Sequence, residues 1–334
     1  MNSKMNRRGF VKSTLLASAG LPLALNAPPA AKAQNPSSPQ AESSAKASGA
    51  MPVGKIGGQE FSRLILGGNL IGGCAHSRDL AYVGTLARRY NTPAKIRETL
   101  ELAEAQGINS FNTHVMQDNS SLFDHWKNGG KIKWFVQVGL DDDGGFSQID
   151  KAIDQGAAGL HVWGVAADSL LGQNKLETVG KMVELIKTKK RVAGVACHDL
   201  RVIVECEKAG LDVDFYQKTF HSHEYFTAPR AGETDVCGPH DNSWCSDPQA
   251  VIDVMAKITK PWIAFKILAA GAINPERAFP YAFTNGADFV LVGMFDWQVA
   301  EDAALAQRVV RIASKPGSKR TRPWDGTLKA AARA

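Results

Sequence analysis

Beyond its first few dozen residues this chain has no apolar run that could cross a bilayer. Even the early run, Leu15 to Leu25, falls well short of the ~20 residues a spanning helix needs. The five cysteines, Cys74, Cys197, Cys206, Cys237 and Cys245, include no Cys-x-x-Cys pair. In an oxidising compartment Cys237 and Cys245, in one polar stretch, could close a small loop. Free thiols, with Cys197 and Cys206 packed in the core, are the other reading. No Gly-x-Gly-x-x-Gly opens a helix after the first strand candidate, so the two-layer dinucleotide fold has no support. A basic excess is missing too, once it is located. Of the 39 Lys and Arg, five (Lys4, Arg7, Arg8, Lys12 and Lys32) lie in residues 1–33, which hold no acid, leaving 34 against 33 Asp and Glu. The body of the chain is near neutral, which argues against nucleic acid as a partner. With 44% hydrophobic and 22% charged residues, the 334-residue chain can bury the core of one large α/β domain.

What is present begins with a leader. Asn6-Arg7-Arg8-Gly9-Phe10-Val11-Lys12 has the twin-arginine pattern, followed by the short apolar run and by Ala31-Lys32-Ala33, a small-x-small cleavage site. Residues 1–33 are expected to be a signal peptide read by the twin-arginine export machinery, placing the protein in the periplasm or otherwise outside the cytoplasm. Residues 34–50, rich in Gln, Pro, Ser and Ala, read as a disordered linker. A barrel is expected over 51–315 and a C-terminal tail over 316–334.

Short apolar runs then alternate with amphipathic stretches. The strand candidates are Leu64–Gly68, Asn109–His114, Trp134–Leu140, Gly159–Val165, Val192–His198, Phe215–Phe220, Trp262–Leu268 and Phe289–Met294. Asn91-Thr92-Pro93, Asp247-Pro248 and Asn274-Pro275 offer caps to the helices between them. Eight strands each followed by a helix, in about 260 residues, predict a (β/α)8 TIM barrel.

In such a barrel chemistry sits at the carboxyl ends of the strands. His114, His161, His198, His221 and His223 fall at or near those ends. Alternation with the outward-facing Leu160 and Val162 turns His161 and Trp163 toward the barrel axis; the same parity turns Asn112, His114 and Gln137 inward.

At this point the sequence resembles the aldo-keto reductase family over most of residues 53–305. Lys55-Ile56-Gly57 with Ser62-Arg63-Leu64-Ile65-Leu66-Gly67 resembles its opening hairpin and first strand, and Gly107 to Thr113 its second strand. Gly194-Val195-Ala196-Cys197-His198 resembles the fifth strand, Ile263 to Gly271 the seventh, and Leu291-Val292-Gly293 with Glu301 and Asp302 the eighth strand and its helix. The resemblance implies a reductase tetrad, yet its Asp, Tyr, Lys and His positions hold Asn112, Gln117, Gln137 and Gly164. Amides supply no titratable proton near neutral pH, so that acid–base device is absent. Of the implied cofactor contacts, Gln217 matches the carboxamide-binding Gln and Phe265 replaces a stacking Tyr. The Ser-Asn pair has become Ala196-Cys197, and Met294-Phe295-Asp296 puts a carboxylate where the family binds the 2′-phosphate. NAD(P) is therefore the less favoured cofactor.

Three groups of residues remain. His161 and His198 are the acid–base candidates, and His114, His221 and His223 are orienting groups or ligands of a divalent metal. Lys266 is an anion clamp or base, with Lys218 on the preceding strand less favoured. The loops Cys74–Leu80 and Thr227–Ser246 are long enough to shape a substrate site, the second carrying Arg230, His240, Asp241 and Trp244. Trp163, Asn112, Gln137, Arg230 and Trp244 are the expected substrate contacts, the two indoles offering flat faces to a sugar ring. The expected function is non-reductive acid–base chemistry (a lyase, isomerase or hydrolase) on a small polar carbonyl or sugar-derived substrate. An NAD(P)-dependent oxidoreductase with an altered site and a non-catalytic binding barrel are the alternatives.

Overall fold

In a computed structural model, residues 50–230, 242 and 244–326 are described. The expected leader, the linker apart from Ala50, and Cys237, His240 and Asp241 lie outside them. The described chain opens with a hairpin, β1 (Val53–Ile56) and β2 (Gln59–Ser62). Gly57 and Gly58 turn it at φ 54° and 82°, the paired left-handed geometry that a two-residue hairpin turn requires.

Eight parallel strands follow: β3 (Leu64–Gly67), β4 (Ser110–His114), β5 (Lys133–Val138), β6 (Gly159–Val162), β7 (Val192–Cys197), β8 (Phe215–Thr219), β9 (Trp262–Phe265) and β10 (Phe289–Gly293). They close in chain order, β10 pairing with β3. The expected barrel is present. Around it run α1 (Tyr82–Tyr90), α2 (Pro93–Ala105), α3 (Ser120–Lys127), α4 (Ser147–Asp154), α5 (Gly164–Gly172), α6 (Leu176–Thr188), α7 (Leu200–Lys208), α8 (Pro248–Met255), α9 (Pro275–Thr284) and α10 (Asp296–Ala313). The Thr92, Asp247 and Asn274 side chains accept from Lys95, Ala250 and Glu276 N–H groups, so the caps form where the sequence places them.

Two helices differ from expectation. α1 lies within what reads as a long connection. The fourth barrel strand is shorter than the candidate Gly159–Val165, because alternation stops at Val162 and the small residues from Gly164 begin α5. The stretch expected to be a tail is anchored through residue 326. Arg320 and Arg322 both pair with the fully buried Asp288 at the start of β10, and Arg63 pairs with Asp325 at 3.0 Å. Trp324 lies under the Arg63 and Arg320 guanidinium groups.

The strand pleat divides the interior. Leu66, Phe111, Val136, Leu160, Val195 and Val290 face the helices in one apolar cluster. Inside the barrel Ile65, Phe135, Phe215, Ile263, Phe289 and Leu291 pack with Ile56 and Phe61 of the hairpin. That plug fills the end where the strands begin, and leaves the opposite end to the polar inward positions. Among the described residues no helix is long and apolar enough to cross a membrane.

Candidate active site

The polar floor of the barrel mouth is one chain of hydrogen bonds. Gln137 Nε2 donates to Asn112 Oδ1 at 2.9 Å, and Asn112 Nδ2 to His161 Nε2 at 2.8 Å. The remaining proton of His161 sits on Nδ1 and reaches the Val162 carbonyl at 3.3 Å. His161 is fully buried, and that desolvation lowers its pKa to about 4. Both ring nitrogens are committed, so His161 supports Asn112 and Gln137 and does not have a nitrogen to offer a substrate. Asn112 has amide and imidazole neighbours where the family resemblance implies a lysine. Gln117, at the family's Tyr position, bonds the Gly68 carbonyl at 3.3 Å.

His198 is arranged differently. It continues the inward parity of Gly194 and Ala196 at the end of β7, and its Nδ1 donates to Asp168 Oδ2 at 2.7 Å. Asp168 also accepts the backbone N–H groups of His198 and Asp199 at 3.0–3.1 Å, so its carboxylate is fixed by the start of α7 as well as by the ring. This fixes the His198 tautomer with a lone pair on Nε2, which makes no hydrogen bond among the described residues and is not sealed from solvent. Burial lowers the His198 pKa, helped by nearby Lys266 and opposed by Asp168. The base is therefore neutral at pH 7. Space for it comes from Gly164: a Cβ there would lie 3.2 Å from His198 Cε1. The position that the resemblance assigns to a histidine is empty of side chain, and the imidazole arrives from the neighbouring strand.

Asp168 was not among the residues singled out by sequence. The available signal was that it is the single charged residue in the mostly apolar α5. Its pairing with a side chain 30 positions later is tertiary.

The histidines expected to bind metal serve other purposes. His221 Nε2 accepts the Trp244 and Cys245 N–H groups at 3.2 and 3.0 Å, while its Nδ1 donates to Ser222 O at 3.1 Å. Burial lowers its pKa to about 3. His223 Nε2 donates to Cys245 O at 2.6 Å. With these nitrogens spent on one loop segment, His114, His221 and His223 do not converge, and no three His, Cys, Asp or Glu side chains are placed to hold a metal among the described residues. The two rings instead fasten Trp244. Its buried indole lies 4.9 Å from the His198 ring and 3.2 Å beneath Lys266 Nζ, with His76 edge-on at 4.9 Å. Trp244 thereby joins the loops after β8 and β3 across the mouth. Cys245 is a buried free thiol, and its expected partner Cys237 falls outside the described residues.

His114 and Trp163 form a second pair on the β4–β6 side, edge to face at 5.1 Å. Lys218 is buried, its ammonium donating to Thr219 O and Oγ1, and its charge acts on both His198 and His221. Arg230 is exposed at the edge of the described residues.

The nicotinamide contacts are partial. Gln217 points inward, buried, with no hydrogen bond from its carboxamide among the described residues, as a cofactor contact would require. Phe265 has the His198 ring against it at 5.5 Å. Cys197 packs into the outer apolar cluster, where burial pushes its thiol pKa up. Asp296, where the resemblance puts the 2′-phosphate, is bonded by Tyr90 at 2.7 Å and Lys95 at 3.0 Å. The residues do not fit a phosphorylated dinucleotide.

No family model matches the sequence, and no curated protein is similar enough to count as a match. Solved structures do match. A Pseudomonas aeruginosa protein assigned to the aldo-keto reductases superposes with a TM-score of 0.54 at 15% identity, over 79% of this chain and 98% of its own. A Bacillus halodurans aldo-keto reductase in its holo form gives 0.52 at 11%, over 79% and 97%. The barrel is aldo-keto-reductase-like. A variant of Gox0644 in complex with NADPH gives 0.52 at 12%, over 84% and 97%. At these identities the likeness is one of fold, and the aldo-keto-reductase-like barrel carries its own set of polar groups at the mouth.

Proposed function

We propose that this protein is an enzyme performing non-reductive proton transfer on a small polar carbonyl or polyol compound, with His198 as the base. The observation that carries the reading is the 2.7 Å His198–Asp168 pair, with Nε2 left open at the mouth of the barrel. Neutral His198 takes a proton from the carbon beside the carbonyl, or from a hydroxyl, and returns it to the product. Isomerisation or elimination is then balanced within the substrate. Lys266, whose charge already acts on His198, is the group we assign to stabilise negative charge on the substrate oxygen. Asp168 is a positioning residue: it holds the tautomer and stabilises the imidazolium that forms. The Arg7-Arg8 leader supports a site of action outside the cytoplasm.

Asp168→Asn reverses the hydrogen-bond demand on Nδ1 and is expected to lower kcat by about 10²–10⁴-fold. Folding should be retained. The test is turnover of a keto-sugar and glycoside panel by the mature protein. Full activity in Asp168→Asn would remove His198 from the chemistry. In the wild type, activity should persist below pH 6.5 and fall as His198 takes up a proton, because its pKa is lowered.

A nicotinamide-dependent reaction is the second reading, favoured by the inward Gln217 and by the folds of the neighbours. Native mass spectrometry separates the two: a dinucleotide copurifying with the protein would establish the second.

A further inference from the structure

On the β5–β6 side the mouth continues into a groove of about 660 Å³, within the ~300–1,000 Å³ range of small-ligand sites. His114 stands at its inner end. Trp163 and Val165 supply its apolar face, and Ser169, Gln173, Lys175 and Glu177 its outer rim. From these we infer that the groove is a subsite for a second sugar ring, extending the substrate of the mouth by one residue. The inference rests on the mouth being the active site.

Four observations converge on an uncharged, polyhydroxylated ring. Trp163 is 38% exposed although it sits at the start of α5 beside a barrel strand, so an indole face is open to the groove. Such a face takes the C–H surface of a pyranose while the ring hydroxyls point to the walls. The rim carries planar amide and hydroxyl groups, and Gln173 already donates to Ser169 Oγ at 3.0 Å, a preset donor–acceptor pair. Lys175 and Glu177 bring opposite charges to one edge, which favours neither an anion nor a cation.

The fourth observation is an unpaired donor. His114 Nδ1 accepts the Met116 N–H at 3.1 Å, and burial lowers the ring pKa, so the proton is on Nε2. That Nε2–H is buried without a partner beside Trp163. Leaving such a donor unpaired costs ~1–3 kcal/mol, which an oxygen of the sugar linkage offsets once the indole shifts onto the ring.

The experiment is titration of the wild-type protein with methyl β-glucoside, cellobiose, maltose and lactose, followed by calorimetry and by the His114 imidazole ¹H–¹⁵N resonances. At least one disaccharide is expected to bind ten or more times tighter than the methyl glucoside and to move the Nε2–H signal. Trp163→Ala should erase that increment. Gln173→Ala, at an exposed rim position, should reduce the increment. Equal affinity across the panel, no binding at all, or an increment that survives Trp163→Ala overturns the subsite. Asp168→Asn separates the two ideas. Turnover lost there with no disaccharide increment means the groove alone fails. An increment with Asp168→Asn fully active means the reading of His198 alone fails.

Discussion

At His161 and His221 the fold buries two imidazoles as neutral rings, with pKa values lowered to about 4 and about 3. In the unfolded chain both take up protons near pH 6.5. Their contribution to stability is therefore intact above about pH 6.5 and is lost as pH falls toward their folded values. Each can remove up to ~1.4 kcal/mol per pH unit in that window. The denaturant midpoint is expected to drop clearly between pH 7 and pH 5, and an unchanged midpoint would contradict the assignment of both rings as neutral. The same residues show what the sequence could and could not reveal. The inward parity of His161 follows from Leu160 and Val162, and the structure has it. Its commitment to Asn112 and Val162 depends on a neighbour 49 positions away, and no local pattern carries that information. His221 and His223 look like ligands in sequence because imidazole pairs often are. Here the Trp244 and Cys245 backbone groups need partners, and the rings provide them.

Among the elements, β-strands and capped helices were legible because alternation and cap residues act over a few positions. The first turn of α5 was not, since it begins on the last residues of a strand pattern. That turn is also where the site is most finely adjusted. Gly164→Ala would place a methyl 3.2 Å from His198 Cε1. The ring must give by a few tenths of an ångström, so kcat should fall about tenfold, on the scale of small misplacements in a catalytic site. Thermal stability should be equal or slightly raised, because Ala is the better helix residue. Measuring the two together separates a displaced base from a damaged fold. The hairpin makes the opposite case. Phe61 is fully buried, 4.5 Å from the Phe135 ring, at the end of the barrel away from the mouth. Phe61→Ala should cost about 3–5 kcal/mol in a denaturation experiment. Its kcat should stay near wild type at temperatures where the variant is folded.

For the molecule as a whole, the barrel was readable as eight strand–helix units and its ring order follows from them. The closing of its lower face was not, because the Arg320, Arg322 and Asp325 contacts join the last part of the chain to Asp288 and Arg63. Asp288 is fully buried, and Arg320 is buried enough that its pKa is lowered to about 10. Removing one partner from such a cluster leaves charge without compensation, so Asp288→Ala should destabilise the protein by about 3–5 kcal/mol in chemical denaturation. A loss below 1 kcal/mol would mean that the arginines find water instead. This clasp also ties closure of the barrel base to a segment that follows the last strand by some thirty positions. A nascent chain halted before Arg320 exposes the base of its first and last barrel strands with an uncompensated carboxylate between them, so the ring can lock only after the ribosome has delivered Arg320 to Asp325.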